Sequence, residues 1–414
     1  MPVVETIGRF RVIKHHMPTP VVSVRIIVNS GSIQDVRSGT AHFLEHMIFK
    51  GTAKRSYEEM NRLIAAIGST NAYTDNDRTA FYIDTTPDKI LEALGYLCEM
   101  AFTPSLDQDE FERERNVILE ERQRFEDDPA SHFFGMTETA HFGPILGRET
   151  LGERQDILDM TLDDLKVYKA ANYTAQNVVV ALVGDLSANP DLSIVLDQYV
   201  LEPGTPNSIP TIESDTGTWA SPKTHLFQHA ADQAYVALLM PGLAFKDSCL
   251  NHHADDIAQD LIGGGMHSLA FLRLREEKGL CYDTAMFEMG SWDNGTAVLY
   301  AATNPKNVED ACVEMKKIIE DVADGKFTDA QLMTSVSHVL FNLANGAQTS
   351  SGYAWMFVDK SFYRGRSIDL SEQTLEHVKA RIGNCRFDKM RQLVQDYARR
   401  MMTAASFSIQ TPKN

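Results

Sequence analysis

Between Glu202 and Ser221 the chain reads EPGTPNSIPTIESDTGTWAS, with three prolines and no apolar periodicity. Proline fixes φ and removes a hydrogen-bond donor, and the surrounding Gly, Ser and Thr have little to bury, so residues 206–220 read as a linker. It leaves residues 1–205 and 221–414, two stretches of similar size. A chain of 414 residues exceeds what one hydrophobic core usually accommodates, whereas each stretch is large enough for its own. The two also share an outline. Val24–Gly31 (VRIIVNSG) and Tyr235–Gly242 (YVALLMPG) are each an apolar strand closed by a glycine turn. Each is followed by a helical stretch, a strand region and further amphipathic helices, one after Phe102-Thr103 and its counterpart after Phe327-Thr328. The expected fold is α+β: two homologous domains, each a largely antiparallel sheet with helices packed on one face.

Composition excludes several function classes. The formal net charge is −18, which argues against nucleic acid as a partner, because a phosphate backbone needs a basic face. The five cysteines (Cys98, Cys249, Cys281, Cys312 and Cys385) are scattered and include no C-x-x-C pair, so neither a disulfide framework nor a cysteine-held metal is expected. The apolar run Val178–Val183 is too short to span a bilayer, so no membrane insertion is expected. The opening MPVVETIGRF lacks the features of a signal or transit peptide, and a cytoplasmic, bacterial-type location is the expectation.

Local signals place the elements of the first half. Ser56-Tyr57-Glu58-Glu59 is a capping box opening a helix that runs to about Ile67. Asn71–Thr74 and Ala80–Asp84 read as strands joined by a polar turn. A helix from Pro87 to about Met100 follows, then a long charged helix from Asp107 to about Glu126, stopped by Asp127-Asp128-Pro129.

The segment Thr40–Phe49 (TAHFLEHMIF) has helical character, and histidines four apart lie one above the other on one helix face. His42 and His46 can therefore share a zinc ion, while Glu45 borders it without being a ligand. A carboxylate so placed suits a general base acting on a water polarised by the metal. A catalytic zinc needs a third protein ligand, and the charged helix DQDEFERERNVILEERQRFEDDP offers candidates. Phe111, Ile118 and Phe125 repeat every seven residues as a buried stripe, with Glu114 and Glu121 seven apart beside it. Either carboxylate can ligate, the other then orienting a histidine or the water. Glu120 and Glu126 stay open as well, and taken alone this helix reads as a solvated charged face.

The chain resembles the pitrilysin / insulin-degrading enzyme / mitochondrial processing peptidase family of inverted-motif zinc metallopeptidases, in outline its short bacterial members. The resemblance is carried by Gly39–Thr52 (GTAHFLEHMIFKGT), Asn71–Thr74 (NAYT), Glu114–Glu121 (ERNVILEE), Asp127–Pro129 and His141–Gly147 (HFGPILG), and it extends over nearly the whole chain. It implies Glu121 as third ligand of one Zn²⁺ per chain and Glu114 as a second acidic residue of the catalytic site. It implies that Asn71 and Ala72 offer main-chain groups to a peptide added as an extra strand; read without it, Asn71 is a turn residue at a strand start. Arg275 and Tyr282, within Leu272–Tyr282 (LRLREEKGLCY), match a pair implied to hold the substrate carbonyl, and both are donors suited to a developing oxyanion. Arg122 departs from the pattern, where an apolar residue is usual, with little consequence expected for the metal.

Other features read as structural. Ile262–Met266 (IGGGM) lacks phosphate-loop spacing and reads as a flexible loop or hinge. His252-His253 lacks a second helix-spaced histidine, so the second domain is expected to hold no metal, and His15-His16 reads as surface. The expected activity is zinc-dependent endopeptidase hydrolysis of peptides or unfolded segments. The alternatives are a processing peptidase for leader peptides or precursors, and a non-catalytic partner subunit. Metal residues and the Arg/Tyr pair in one chain favour a homodimer, with monomer and hetero-oligomer as the other possibilities.

Overall fold

In the computed structural model, residues 2–207, 223–243, 253–291, 294–358, 362–363, 366–367 and 374–413 are described. The expected linker, residues 206–220, lies almost wholly outside them, as do Cys249 and His252. The chain forms two compact units. The first comprises Met1–Phe125, Arg148–Ile209 and Asn345–Leu375, and the second Glu126–Gly147, Pro210–Ala344 and Glu376–Asn414. The units thus differ from a plain division at the linker, since each half of the sequence lends a segment to the other unit.

The strands of the first unit are β1 (Val3–Ile7), β2 (Phe10–His16), β3 (Val22–Val28), β4 (Gly68–Thr74), β5 (Thr79–Thr85) and β6 (Val178–Gly184). They form one sheet in the order β1-β2-β6-β3-β5-β4. Only β2 and β6 run parallel; β6–β3, β3–β5 and β5–β4 are antiparallel. Its helices are α1 (Thr40–Ile48), α2 (Tyr57–Ala65), α3 (Ile90–Phe102) and α4 (Gln108–Asp127), with α5 (Pro129–Leu146) passing to the second unit, then α6 (Arg154–Asp159), α7 (Leu162–Asn172) and α8 (Ser193–Leu196).

Side chains alternate across β3. Val22, Val24, Ile26 and Val28 join Phe43, Leu44 and Met47 of α1, Leu94 and Leu97 of α3, and Phe111 and Ile118 of α4 in one buried core. The opposite side of the sheet is covered from far along the chain. Arg25, 1% exposed, donates to Ser23 Oγ (3.1 Å) and to the carbonyl and hydroxyl of Ser351 (3.0 and 2.7 Å). His15 stacks on Tyr353 with ring centroids 4.2 Å apart. His15 is therefore buried, contrary to the surface position expected of it, because a late segment lies on this face; its neighbour His16 is exposed near Asp185.

The second unit contains β7 (Thr224–His229), β8 (Ala234–Pro241), β9 (Cys281–Ser291), β10 (Asn294–Thr303) and β13 (Ser406–Pro412); the two short strands before β13, β11 (Phe362–Tyr363) and β12 (Arg366–Ser367), pair with each other and belong to the first unit. The sheet order of the second unit is β7-β13-β8-β10-β9. Again one pair, β7–β13, is parallel and the rest are antiparallel. This is the order β2-β6-β3-β5-β4 repeated, so the repeat legible in two short strands extends to every described strand of the first sheet but β1. The helices of the second unit are α9 (Ala254–Gly263), a π-helical turn (Phe271–Glu277), α10 (Val308–Ala323) and α11 (Asp329–Gly346). After α12 (Ser350–Tyr353), which belongs to the first unit, come α13 (Leu375–Asn384) and α14 (Phe387–Met401). Here α5 performs the covering role: Phe133 packs with Tyr235, Ala237 and Leu239 of β8 and with Tyr300 of β10.

Sequence boundaries fall within a few residues of these elements. The capping box at Ser56 is half formed: its hydroxyl accepts from the Glu59 N–H at 3.3 Å and itself donates to Glu58. Pro87 begins a 3₁₀ turn, Pro87–Lys89, that leads into α3. Among the described residues no helix is long and apolar enough to cross a membrane, and Cys98, Cys281, Cys312 and Cys385 are free thiols.

Candidate metal centre

Helix α1 follows directly on a turn built to start it. Gly39, its N-cap, has φ 87°, and a Cβ there would sit 2.9 Å from Gly152 Cα, so glycine is required on both counts. The buried Asp35 carboxylate accepts from the Gly39 and Ala41 N–H groups, both at 2.9 Å, satisfying donors at the helix N-terminus. Burial raises the Asp35 carboxyl to about 7, against the lowering effect of those N–H groups and Arg148.

The helix turns His42 and His46 onto one face, with their Nε2 atoms 3.2 Å apart. Glu121 Oε2 of α4 lies 3.8 Å from His42 Nε2 and 3.6 Å from His46 Nε2. Zinc–nitrogen bonds of about 2.0–2.1 Å put neighbouring donors of a tetrahedron about 3.4 Å apart, which these spacings match. Among the described residues two imidazole nitrogens and a carboxylate converge here on one point, so the donor set fits zinc and leaves a position open for water. Glu120 is exposed, and the Glu126 carbonyl accepts from His229 at 2.8 Å; the helix face that reaches the histidines is that of Glu114 and Glu121.

Glu114 is only 4% exposed and contacts His46 Nδ1 at 2.8 Å, so this nitrogen carries the proton and Nε2 is free for a metal. Its other oxygen pairs with Lys50 at 2.6 Å. Burial works to raise the Glu114 carboxyl, but His46 and Lys50 outweigh it and hold it below its ordinary value. For His46, burial pulls the imidazole down, yet the bond to Glu114 and the neighbouring carboxylates carry it above. His42 is lowered to about 3, by burial first and then by His46, so it is a neutral imidazole ready to ligate. Glu45 receives a 2.5 Å hydrogen bond from Thr74 Oγ1 of β4; burial, the largest influence, raises its proton affinity.

Arg122, which departs from the family pattern, has a structural role. It is 8% exposed, pairs with Glu149 and donates to the Gly152 carbonyl at 3.0 Å. Gly152 abuts Gly39, so Arg122 ties the helix of Glu121 to the start of the helix of His42. Sequence reasoning also missed Thr74, Lys50 and Asp35. Lys50 follows His46 by one helical turn and Asp35 precedes the N-cap Gly39 by four residues, signals that were available; Thr74 reaches Glu45 only through a tertiary contact.

Strand β4, with Asn71 exposed and Ala72 half-buried, is the last strand of its sheet, and Asn71 Oδ1 accepts from the Ala72 N–H at 2.9 Å. In the second unit, Arg275 lies over the rings of Phe271 (4.7 Å) and Tyr282 (5.7 Å). Tyr282 is 72% exposed on β9, the matching edge strand. Arg275 and Tyr282 line a cavity of about 420 Å³ with Asp232, Thr303, Asn304 and Asn307. His253 caps α9 beside Asp256, its Nδ1 2.9 Å from that carboxylate.

Residues 11–153 match the family model described as Insulinase (Peptidase family M16), and residues 159–337 match that of the Peptidase M16 inactive domain. An uncharacterised zinc protease of Mycobacterium leprae is 27% identical over 90% of this chain and 86% of its own length. The β subunit of the mitochondrial-processing peptidase of Lentinula edodes is 36% identical over 41% of this chain and 37% of its own length. A protease from Helicobacter pylori, 23% identical, has the same fold, with a TM-score of 0.85 over the full length of both chains. With both halves matched by models of one family, the chain belongs to the M16 (insulinase, or pitrilysin) family of zinc proteases.

Proposed function

We propose that the chain is a zinc-dependent endopeptidase acting on peptides or unfolded segments, with His42, His46 and Glu121 holding one zinc per chain in the first unit. The reading is carried by one observation: three donors converge at ligand spacing while Glu45, one residue from a ligand, stays outside the donor set. Zinc held there supplies a Lewis acid that polarises water and the peptide carbonyl. Glu45 takes the proton from the attacking water and returns it to the leaving amine; its raised proton affinity suits both steps. Thr74 fixes the carboxylate through one oxygen and leaves the other for the water. Glu114 holds the His46 ring in the ligating tautomer, and Lys50 keeps Glu114 ionised.

The free edge of β4 is suited to a substrate lying antiparallel along Asn71 and Ala72, read through main-chain bonds and so with loose sequence preference. Arg275 and Tyr282 carry a guanidinium and a phenol, donor types suited to a carbonyl oxygen on which charge develops. A second reading, a processing peptidase for leader peptides or precursors, draws on the likeness to the processing-peptidase β subunit. Mass spectrometry of products from a peptide library, with and without a zinc chelator, tests both. Chelator-sensitive cleavage at many sites supports general peptidolysis, cleavage confined to one motif supports processing, and no cleavage removes the enzyme reading.

A further inference from the structure

Helix α9 occupies in the second unit the place of α1 in the first, after the third strand of the shared order, and α11 occupies the place of α4. Their buried positions give the register. Ile257, Ala258, Leu261 and Ile262 repeat the spacing of Phe43, Leu44, Met47 and Ile48, which sets Gln259 at the position of Glu45 and Asp260 at that of His46. Leu332, Ser335 and Val339 repeat Phe111, Glu114 and Ile118, which sets Asn342 at the position of Glu121.

At this equivalent place the second unit gathers donors of its own. Asp260, 6% exposed, has Oδ1 at 2.7 Å from His267 Nε2 and Oδ2 at 2.5 Å from His338 Nδ1. The two imidazole rings meet edge to face with centroids 4.9 Å apart, and the candidate ligand atoms of all three residues lie within 4.8 Å of one another. Asn342 Nδ2 is 3.5 Å from the His338 ring nitrogens. His267 arrives from the loop after the glycine run expected to be a hinge. Within that run Gly264 has a specific task, since a Cβ there would come within 2.5 Å of Asp260 Oδ2. The side chains of His267 and His338 are 28% and 36% exposed, so the cluster opens to solvent on its imidazole side.

We propose that Asp260, His267 and His338 form a second metal site, one that takes a divalent ion of the zinc class. Two imidazoles and one carboxylate select borderline transition ions over calcium or magnesium, which want an all-oxygen shell. An ion bound through the nitrogens that now face Asp260 takes the place of their contacts with the carboxylate, and any ring proton then sits on the other nitrogen. The site lacks a counterpart to Glu45, because Gln259 accepts no proton, so it is a binding site without hydrolytic chemistry. The proposal stands apart from the peptidase reading, since none of its residues acts on the substrate.

The test is metal content. Tag-free, full-length protein is stripped with chelator, reloaded with Zn²⁺ or Co²⁺, and read by elemental analysis and by the Co²⁺ visible spectrum. Wild type is expected to take two equivalents per chain. His267→Gln/His338→Gln should take one, with unchanged peptidase activity and the first-site cobalt spectrum intact, which also shows that the variant folds. His42→Ala/His46→Ala should take one, with the spectrum of the second site, and the four-fold variant none. Wild type saturating at one equivalent that disappears in His42→Ala/His46→Ala would overturn the proposal, as would a second equivalent that persists in His267→Gln/His338→Gln.

Discussion

The two units run their strands in the same order and differ in what the same helices carry. In the first, the helix after the third strand carries His42, Glu45 and His46; in the second, the equivalent helix carries Asp256, Gln259 and Asp260. The long helix that brings Glu121 to one cluster brings Asn342 and His338 to the other. The backbone plan therefore fixes where donors can meet, and the side chains decide whether hydrolysis can follow. Glu45 stands beside the first cluster, and Gln259 holds the matching position in the second.

The sharpest way to break that comparison is to remove the metal. Chelation should abolish peptidolysis entirely while both units keep a cooperative thermal transition, because each has its own core. Loss of the transition on chelation would make the first site structural.

Arg275→Ala and Tyr282→Phe probe what the second unit contributes. If they donate to the substrate carbonyl, kcat/KM should fall about 100-fold to 1,000-fold with the zinc content unchanged. Full activity of the double variant would confine the chemistry to the first unit. Glu114→Gln should weaken zinc binding about 10-fold to 100-fold, the usual worth of a group that orients a ligating histidine. Competition with a chromophoric chelator measures it, and unaltered affinity would leave the His46–Glu114 contact without a role at the metal.

The smallest expected effect is at the start of α1. Asp35→Ala leaves two N–H groups without their acceptor and should cost about 1–3 kcal/mol in denaturant unfolding. Asp35→Asn reports on pH. Burial raises this carboxyl from its ordinary 3.8 to about 7, so across that window the folded chain holds a proton that the unfolded chain has lost. The stability it contributes is present below the ordinary value and is lost as pH rises toward 7. The Asn variant should flatten that slope, and an unchanged slope would assign it elsewhere.

Much of this organisation was legible in the sequence where the signal was local. Histidines at helix spacing predict a shared face, a seven-residue apolar stripe predicts which side of α4 is buried, and paired strand outlines predict the repeat. What stayed hidden depends on contacts between distant segments. Composition cannot show that Ser350–Val358 covers the first sheet and buries His15, or that α5 leaves the first half to cover the second sheet. Nor could a residue-by-residue scan find the Asp260 cluster, because its members come from two helices and a loop, with no short motif between them. Choosing Glu121 over Glu114 needed the family resemblance, since periodicity puts both on one face and only the fold sets their depth.

The division of roles in the first unit is tested most directly by measuring first-site zinc and peptide turnover together in Glu45→Gln and Glu121→Gln. The Asp260 cluster is disabled in both by His267→Gln/His338→Gln, so that only one site is counted. Glu45→Gln should keep its zinc and lose activity by about two to four orders of magnitude, the range of a general base, while Glu121→Gln should lose zinc. Equal loss of zinc from both would make Glu45 a ligand and contradict the account.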